Sequence, residues 1–176
     1  VDTLADSGEA GNNVYIWAAG GSEGYGIGAA IGIKLAAPER PVVGLVGDGS
    51  MYYADSGLWT AAHHGVPLLY VIPNNEAYGV VASFFGQAGG NMKQSGVYGG
   101  VVLDNIDPVK VAEGFGVEGM EVQDEATVEE AIDHGLDIVE REGRAFVLNV
   151  RLPRGLPQGG RAATPYSFKD SMSKAG

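Results

Sequence analysis

With 176 residues, a net charge of −11 and no cysteine, the chain is predicted to form one domain with a sizeable core and without disulfides or thiolate metal sites. The acidic balance argues against a nucleic-acid partner, because no basic excess is present to neutralise backbone phosphates. Its apolar stretches fall far short of the roughly 20 residues of a membrane span and no signal peptide is visible at the start, so we expect a cytoplasmic protein without a membrane partner.

The first part of the chain predicts a strand, a tight loop and a helix. Residues 1–13 have no clear periodicity and are predicted to be a linker or leading segment before a domain over residues 14–150. An apolar run at 14–17 predicts the first strand, and Gly20-Gly21-Ser22-Glu23-Gly24 predicts a tight loop. From residue 25 to 35 apolar residues recur at helical spacing, with glycine at positions 26, 28 and 32. Because glycine destabilises helices, this repetition indicates very close packing or the close approach of a ligand.

Two polar clusters follow two predicted strands. The valine-rich run 41–46 predicts a buried strand of a parallel sheet, and it ends on Gly47-Asp48-Gly49-Ser50. A second run, 67–73, ends on Asn74-Asn75. Open α/β sheets bind ligands at the carboxyl ends of their strands, and the glycines beside Asp48 let the backbone approach a ligand. Carboxylate and amide oxygens, completed by phosphate oxygens and water, form the site that Mg²⁺ prefers. The pattern therefore predicts a diphosphate bound through a metal.

The remaining elements alternate between helix and strand. We predict helices over residues 55–64, 108–115 and 127–142 and strands over residues 117–122 and 145–150. Asp107 is expected to cap the second of these helices, and Thr127 to open the third with a capping box. Residues 86–105 are too rich in glycine for a helix and predict a mobile loop. Residues 151–176 are predicted to be a tail that could fold over the site as a lid. The fold class is α/β, a doubly wound parallel sheet flanked by helices.

The glycine-rich loop also fits a different ligand. Gly24-Tyr25-Gly26-Ile27-Gly28-Ala29 satisfies the permissive G-x-G-x-x-G/A pattern of dinucleotide-binding folds, and Asp48 lies about the right distance downstream to bind a ribose. A dinucleotide-binding oxidoreductase is therefore an alternative, although it gives no role to the Gly47-Asp48-Gly49-Ser50 run as a whole or to Asn74-Asn75. A P-loop nucleotide site is not supported, since the chain has no G-x-x-x-x-G-K-[ST] run.

The spacing of the two polar clusters resembles the signature of a known family. The 24 residues from Ser50 to Pro73 separate Gly47-Asp48-Gly49 from Asn74-Asn75, and thiamine-diphosphate (ThDP) enzymes carry Gly-Asp-Gly followed at this distance by one or two asparagines. The similarity extends from about residue 15 to residue 150. Ala36-Ala37-Pro38-Glu39-Arg40-Pro41 and Leu58-Trp59-Thr60-Ala61-Ala62, on either side of the signature, are most similar to the benzoylformate decarboxylase and acetolactate synthase group. The chain thus resembles the C-terminal, diphosphate-binding domain of that group.

The resemblance implies two cofactors, ThDP and Mg²⁺, and a set of binding residues. Asp48 and Asn75 are expected to bind the metal through their side chains, and Ala77 through its backbone carbonyl. The residues expected to contact the cofactor are Gly21, Ser22, Glu23, Gly47, Asp48, Gly49, Ser50, Asn75, Tyr78 and Gly79. Glu23 departs from the family pattern, in which an apolar residue usually offers its carbonyl at this place.

The same resemblance implies the class of reaction. Val81 and Phe84 are expected to face the substrate pocket, with ordinary core packing as the alternative. Pyruvate decarboxylase-like enzymes carry a catalytic glutamate where this chain has Val81, so that subgroup is disfavoured. We expect an enzyme that cleaves or forms a C–C bond next to a carbonyl, as a 2-oxo acid decarboxylase or an acetolactate synthase-like carboligase. A 2-hydroxyacyl-CoA lyase is an alternative in the same class, and a non-catalytic subunit that has kept the fold is an alternative outside it.

No catalytic residue is expected within this chain. In the family the activating glutamate belongs to a pyrimidine-binding domain, usually in a neighbouring subunit. The chain begins at Val1 rather than methionine, so we expect it to be part of a longer polypeptide or a processed subunit. The expected assembly is a homodimer or tetramer that acts on a small-molecule 2-oxo acid or acyl-CoA once the pyrimidine-binding domain is supplied.

Overall fold

The computed structural model describes residues 15–16 and 22–162 of the chain. In chain order the helices are α1 (Tyr25–Ala36), α2 (Asp48–Met51), α3 (Gly57–His63), α4 (Gly79–Ala88), α5 (Asn91–Ser95), α6 (Pro108–Gly114) and α7 (Val128–Asp137). The strands are β1 (Val43–Leu45), β2 (Leu69–Asn74), β3 (Val97–Tyr98), β4 (Glu118–Val122), β5 (Phe146–Arg151) and β6 (Arg161–Ala162). Of the first predicted strand, Tyr15 and Ile16 are described and do not form a strand. Gly21, the segment 1–13 and the end of the predicted tail lie outside the described residues.

Four parallel strands form the main sheet, in the order β1-β2-β5-β4. The last long strand, β5, therefore lies between β2 and β4. Asn74 at the end of β2 is in register with Arg151 at the end of β5. A parallel sheet places the carboxyl ends of its strands along one edge, so the polar residues that follow β1, β2 and β5 come together there.

Helices cover both faces of this sheet. On one face α1, α3 and α6 pack against the sheet, and that core includes Ile27, Leu58, Leu68, Tyr70, Ile72, Ala112 and Val147. On the other face α7 and the π-helical turn after it pack against the sheet, and that core includes Leu69, Val71, Ala131, Ile138, Phe146 and Leu148. Alternate residues of β2 and β5 thus serve different cores, as strands buried on both faces require. The predicted doubly wound α/β fold is confirmed.

The valine-rich strand before Asp48 is buried on only one face. The sequence predicts a strand buried on both faces, but β1 lies at the edge of the four-stranded sheet, and its Val43 and Leu45 are 50% and 59% exposed. Gly44, between them, is buried against Tyr70, and a Cβ at this glycine would lie 2.8 Å from the Cδ1 atom of that ring. The prediction was wrong for the outer face because an apolar run cannot reveal which strand occupies the edge of a sheet.

Residues 86–105 are more regular than their glycine content predicts. Helix α4 continues to Ala88, and α5 and β3 follow within the predicted loop. Gly89 and Gly96 end the two helices with φ angles of 74° and 68°. These glycines act as left-handed C-caps, which terminate helices without preventing them. The prediction of a loop without helix was therefore wrong.

One of the two predicted helix caps is confirmed. Asp107 caps α6, since its Oδ1 accepts a hydrogen bond from the N–H of Val109 at 2.9 Å. Thr127 does not form the predicted capping box, because its hydroxyl donates to the carbonyl of Asp124 at 2.9 Å. The side chain of Asp124 instead accepts from the N–H of Ala126 at 3.0 Å and begins a 3₁₀ turn that leads into α7. The side chain of Asp124, one turn before Thr127, therefore caps this segment in place of the predicted capping box.

Residues 152–162 pack against the segment that follows β2. The N–H of Leu152 donates to the carbonyl of Asn74 at 2.8 Å. Strand β6 pairs in parallel with β3, and Leu156 joins a small apolar cluster that contains Tyr98 and Val101. The described part of the predicted tail therefore lies over the loop that carries the metal-binding candidates. Across residues 15–16 and 22–162 no helix has the length and apolarity needed to cross a membrane.

Candidate functional site

Asp48 and the turn after β2 meet at the carboxyl edge of the sheet. Asp48 is the first residue of α2, three positions after the end of β1. Asn74 ends the neighbouring strand β2, and Asn75 follows it. The backbone N–H groups of Asn75 and Glu76 face the Asp48 carboxylate and lower its pKa. The two halves of the predicted signature are therefore brought together in space.

Asp48 is a buried acid whose charge is only partly compensated. Its side chain is 3% exposed, and its Oδ2 atom accepts no hydrogen bond from the described residues. Burial raises the pKa of Asp48 above its ordinary value, and the backbone N–H groups of Gly49, Glu76 and Asn75 oppose this rise without cancelling it. Because a buried carboxylate is costly unless it is paired, a cation bound here would be favoured.

The turn after β2 presents further oxygen atoms close to Asp48. The Oδ1 of Asn74 accepts from the N–H of Glu76 at 3.0 Å, and the Oδ1 of Asn75 accepts from the N–H of Ala77 at 3.3 Å. Asn74 is almost completely buried, yet its Nδ2 has no partner among the described residues. The carbonyl of Ala77 accepts from the N–H of Gly79 at 2.9 Å, which leaves one lone pair available. Two candidate metal-binding oxygens thus lie on either side of Glu76.

The loop before α1 contacts the segment that contains Asp48. The hydroxyl of Ser50 donates to the carboxylate of Glu23. Ser22, Glu23, Gly47 and Ser50 line a cavity of about 860 Å³ beside β1. A Cβ at Gly47 would meet no atom within 4 Å, so the backbone there is open to a ligand. Glu23, which departs from the family pattern, therefore contacts another residue of the predicted cofactor set.

Gly49 allows the close approach of Tyr78, and Gly79 allows the close approach of Asn75. A Cβ at Gly49 would lie 2.7 Å from Cδ1 of Tyr78, and a Cβ at Gly79 would lie 2.9 Å from Nδ2 of Asn75. The Tyr78 ring also lies beside that of Tyr53, with centroids 6.0 Å apart. Burial and neighbouring ionisable groups raise the pKa of Tyr78 above its ordinary value, so its hydroxyl remains a neutral hydrogen-bond donor.

Val81 and Phe84 lie on α4, beyond this cluster. Their exposed fractions are 43% and 65%, so they are not buried in the core of the described residues. Val80 and Phe85, beside them, are also exposed. This helix therefore presents an apolar surface next to the turn that holds Asn75, and its role in a substrate pocket stays a prediction.

Three charged residues at the site were not predicted from the sequence. The carboxylate of Glu76 accepts from Arg151 at 2.7 Å and from Arg154 at 2.6 Å. These two guanidinium groups lower the pKa of Glu76. Arg151 lies 75 positions after Glu76 in the chain, and Arg154 lies 78 positions after it. No local sequence pattern reveals contacts between residues so far apart. The only available signal was the position of Arg151 at the end of a predicted strand.

The donor atoms fit a hard cation with phosphate oxygens. The described part of the chain contains no group of three or more His, Asp or Glu side chains able to hold a metal by themselves. A metal here would instead use the unpaired oxygen of Asp48, the amide oxygen of Asn75 and the carbonyl of Ala77, with other ligands from a bound molecule and water. All of these are oxygen atoms, which Mg²⁺ prefers.

Comparisons with known proteins identify the family of the chain. Residues 6–150 match the family described as thiamine pyrophosphate enzyme, C-terminal TPP binding domain. The chain is 34% identical over 122 residues to benzoylformate decarboxylase of Pseudomonas aeruginosa, a match that covers 69% of this chain and 22% of that protein. It is 31% identical over 127 residues to acetolactate synthase isozyme 1 large subunit of Escherichia coli, covering 72% of this chain and 21% of that protein.

A solved structure gives the same result. The thiamine diphosphate-dependent 4-hydroxybenzoylformate decarboxylase of Rhodococcus jostii RHA1 superimposes with a TM-score of 0.60 at 30% identity, covering 77% of this chain and 24% of that one. The chain thus spans less than a quarter of the length of these relatives. Thiamine diphosphate with Mg²⁺ is the standard cofactor pair of the family. The chain belongs to the thiamine pyrophosphate enzymes and corresponds to their C-terminal TPP-binding domain, in the benzoylformate decarboxylase and acetolactate synthase group.

Proposed function

We propose that this chain is the diphosphate- and Mg²⁺-binding part of a ThDP-dependent enzyme that breaks or forms a C–C bond next to a carbonyl. The observation that carries the proposal is the buried carboxylate of Asp48, whose Oδ2 has no partner in the described structure and which faces the Asn74-Asn75 turn. A cation at this point would compensate the buried charge and give the two asparagines a common role.

The residues of the chain bind and orient the cofactor. Asp48, Asn75 and the carbonyl of Ala77 would hold Mg²⁺, and the backbone at Gly47 would approach the diphosphate. Bound ThDP supplies the carbon nucleophile and the electron sink that amino-acid side chains lack. Tyr78 would lie near the diphosphate, where its neutral hydroxyl could donate a hydrogen bond.

The loop before α1 would contact the other end of the cofactor. Gly21, Ser22 and Glu23 would present main-chain groups to the pyrimidine ring. The hydrogen bond from Ser50 to Glu23 supports this placement, because it ties that loop to the segment that would hold the diphosphate. The activating glutamate would come from the pyrimidine-binding domain of the same enzyme, in a homodimer or tetramer.

The substrate is proposed to be a 2-oxo acid. The exposed apolar side chains of Val81 and Phe84 on α4 would contact its non-reacting end and exclude water there. The relatives include a decarboxylase and a synthase, and both outcomes begin with loss of CO₂ from the acid. After CO₂ has left, the acyl carbon that carried it would take up a proton to give an aldehyde, or would form a bond to a second carbonyl carbon to give a longer 2-hydroxy ketone.

Calorimetric titration of ThDP, with and without Mg²⁺, tests the cofactor site. The protein to use is the polypeptide that contains this chain together with its pyrimidine-binding domain. We expect binding that requires Mg²⁺ and that Asp48→Ala abolishes. Asp133→Ala, which removes an exposed acid from α7, is the matched control and should bind normally. Absence of binding by the wild type in both conditions would reject the proposal and favour a non-catalytic subunit, whereas binding of NAD without a metal would favour the dinucleotide alternative.

Product analysis then identifies the reaction. The same polypeptide, with Mg²⁺ and ThDP, is incubated separately with benzoylformate and with pyruvate while CO₂ release is followed. An aldehyde product would assign a decarboxylase, and a longer 2-hydroxy ketone would assign a carboligase. Cleavage of a 2-hydroxyacyl-CoA in the absence of activity on either acid would contradict the proposed substrate class.

A further inference from the structure

Glu76 adopts a backbone conformation that is costly for its residue type. Its φ angle is 52°, in the left-handed region that favours glycine, and Asn105 is the one other described residue besides glycine with a positive φ. A residue other than glycine in this conformation persists when its surroundings stabilise it. Glu76 lies between Asn75 and Ala77, so its conformation sets the relative position of two candidate metal-binding groups.

The Glu76 backbone is held on both sides. Its N–H donates to Oδ1 of Asn74 at 3.0 Å and faces the carboxylate of Asp48, and its carbonyl accepts from the N–H of Leu103 at 2.8 Å. These contacts join the residue to Asp48 and to the turn after β2. The N–H and the carbonyl of Glu76 are thus both bonded, and its side chain is the remaining part of the residue that can help to fix its conformation.

Both oxygens of the Glu76 carboxylate are engaged by arginine. Oε1 accepts from Arg151 at 2.7 Å and Oε2 from Arg154 at 2.6 Å. Such charge-assisted hydrogen bonds are directional, so they fix the side chain rather than merely attract it. The two arginines neutralise the Glu76 carboxylate and fix its orientation, which favours a positioning role over direct metal binding. Its influence on a metal therefore passes through the backbone on either side of it.

The residues that hold Glu76 come from two segments. Arg151 ends the central strand β5, while Arg154 belongs to the segment 152–162 that packs over the turn. Gly155 in that segment approaches Asn75 so closely that a Cβ there would lie 2.6 Å from its Nδ2. The same segment that supplies the second arginine therefore also contacts a candidate metal ligand.

We propose that Glu76, held by Arg151 and Arg154, is a positioning residue that fixes Asn75 and Ala77 in the geometry required for Mg²⁺. The inference rests on the proposed function, because it assigns these two residues to the metal. Arg151 and Arg154 are about one third exposed, and partly exposed ion pairs contribute little to global stability. The effect of the two ion pairs is thus expected in metal affinity more than in folding.

The test compares metal affinity with stability in matched variants of the polypeptide that contains both cofactor-binding domains. The variants are Glu76→Gln, which keeps the shape but removes the charge, Arg154→Ala, and Arg154→Lys as the conservative replacement. Arg144→Ala is the control, because Arg144 also contacts two glutamates, Glu118 at 3.0 Å and Glu142 at 2.7 Å, but precedes β5 at the opposite edge of the sheet. The dissociation constant of Mg²⁺ is measured by calorimetry at saturating ThDP, and melting temperature is measured without metal.

We expect Glu76→Gln and Arg154→Ala to weaken Mg²⁺ binding by about tenfold or more, the effect typical of groups that orient metal ligands. Arg154→Lys should recover part of the loss, and Arg144→Ala should bind Mg²⁺ like the wild type. If Glu76→Gln does not fold, the Mg²⁺ affinity of Arg154→Ala alone tests the inference. Unchanged Mg²⁺ affinity in the folded variants, or an equal loss in Arg144→Ala, would overturn the inference while leaving the proposed function intact. Failure of the wild type to bind Mg²⁺ and ThDP would overturn both.

Discussion

The buried hydroxyl of Tyr70 links a strand of the sheet to a helix. It is the largest side chain that the described structure buries completely, and its hydroxyl donates to the carbonyl of Ile27 at 2.7 Å. This bond joins β2 to α1 across the core. Tyr70→Phe should lower the free energy of unfolding by about 1 kcal/mol, because the carbonyl of Ile27 loses its buried partner. Denaturant unfolding near neutral pH measures the difference, and no loss would show that the carbonyl finds another donor.

The stability difference between wild type and Tyr70→Phe is also expected to depend on pH in the alkaline range. Burial raises the pKa of Tyr70, so the folded protein keeps the hydroxyl protonated while the unfolded chain ionises at its ordinary pKa of 10.0. The stabilising contribution of the neutral hydroxyl is therefore complete below about pH 10 and is lost as the pH rises further. Phenylalanine cannot ionise, so the stability gap between wild type and Tyr70→Phe should narrow above that pH. A constant gap from neutral to alkaline pH would contradict the assignment.

Individual residues also mark the limit of sequence-based prediction at the site. The spacing of Asp48 and Asn75 is local enough to be read from the sequence, because each follows a strand that the apolar pattern identifies. Glu76 and Arg151 could not be paired in this way, since their contact depends on β5 inserting beside β2. Strand order is a property of the folded sheet, so residues that meet only through it are missed.

At the scale of elements, the glycines of α1 separate into two kinds. The sequence predicts that they mark close packing or a ligand. Gly26 fits the first explanation, since a Cβ there would lie 2.6 Å from Cγ2 of the buried Val46, whereas a Cβ at Gly28 or Gly32 would meet nothing within 4 Å. Helix content was thus correctly predicted, but the reason for each glycine required the neighbouring strand.

This difference gives a paired prediction for α1. Gly26→Ala should destabilise the chain by about 1–3 kcal/mol through overpacking against Val46. Gly28→Ala should stabilise it by up to about 1 kcal/mol, because alanine has the higher helix propensity and the position is open. Thermal unfolding of both variants provides the comparison. Destabilisation by Gly28→Ala would indicate that another surface covers this helix in the assembled protein.

The entry to α7 provides a second test at this scale. Asp124→Ala should cost about 1 kcal/mol, since its side chain accepts from the N–H of Ala126 and caps the turn. Thr127→Ala should cost about 0.5 kcal/mol or less, because its side chain makes no helix-capping bond and such exposed substitutions have small effects. Unfolding in urea resolves the two values. A larger loss of stability for Thr127→Ala than for Asp124→Ala would support the capping box that the sequence predicts.

For the molecule as a whole, the alternation of strands and helices was enough to predict the class of fold. The periodic pattern identifies each long element, and right-handed crossover connections leave few arrangements for parallel strands. The exposed outer face of β1 could not be predicted, because it depends on what lies beside the sheet rather than on the strand itself. The exposure of Val43 and Leu45 is thus a property of the folded sheet that the apolar run alone does not reveal.

The largest-scale prediction is that this chain is not sufficient for activity. It spans 22% of the benzoylformate decarboxylase relative, and the glutamate that activates the cofactor is expected from another domain. We expect the isolated 176-residue chain to bind Mg²⁺ and ThDP weakly or not at all and to release no CO₂ from 2-oxo acids. Adding the separately produced pyrimidine-binding domain should restore binding and turnover, because the cofactor site is expected to be complete only when both domains are present. Combining that domain with the Asp48→Ala chain should restore neither, which separates cofactor binding from simple association. Turnover by the isolated wild-type chain would contradict the prediction and place the activating group within these residues.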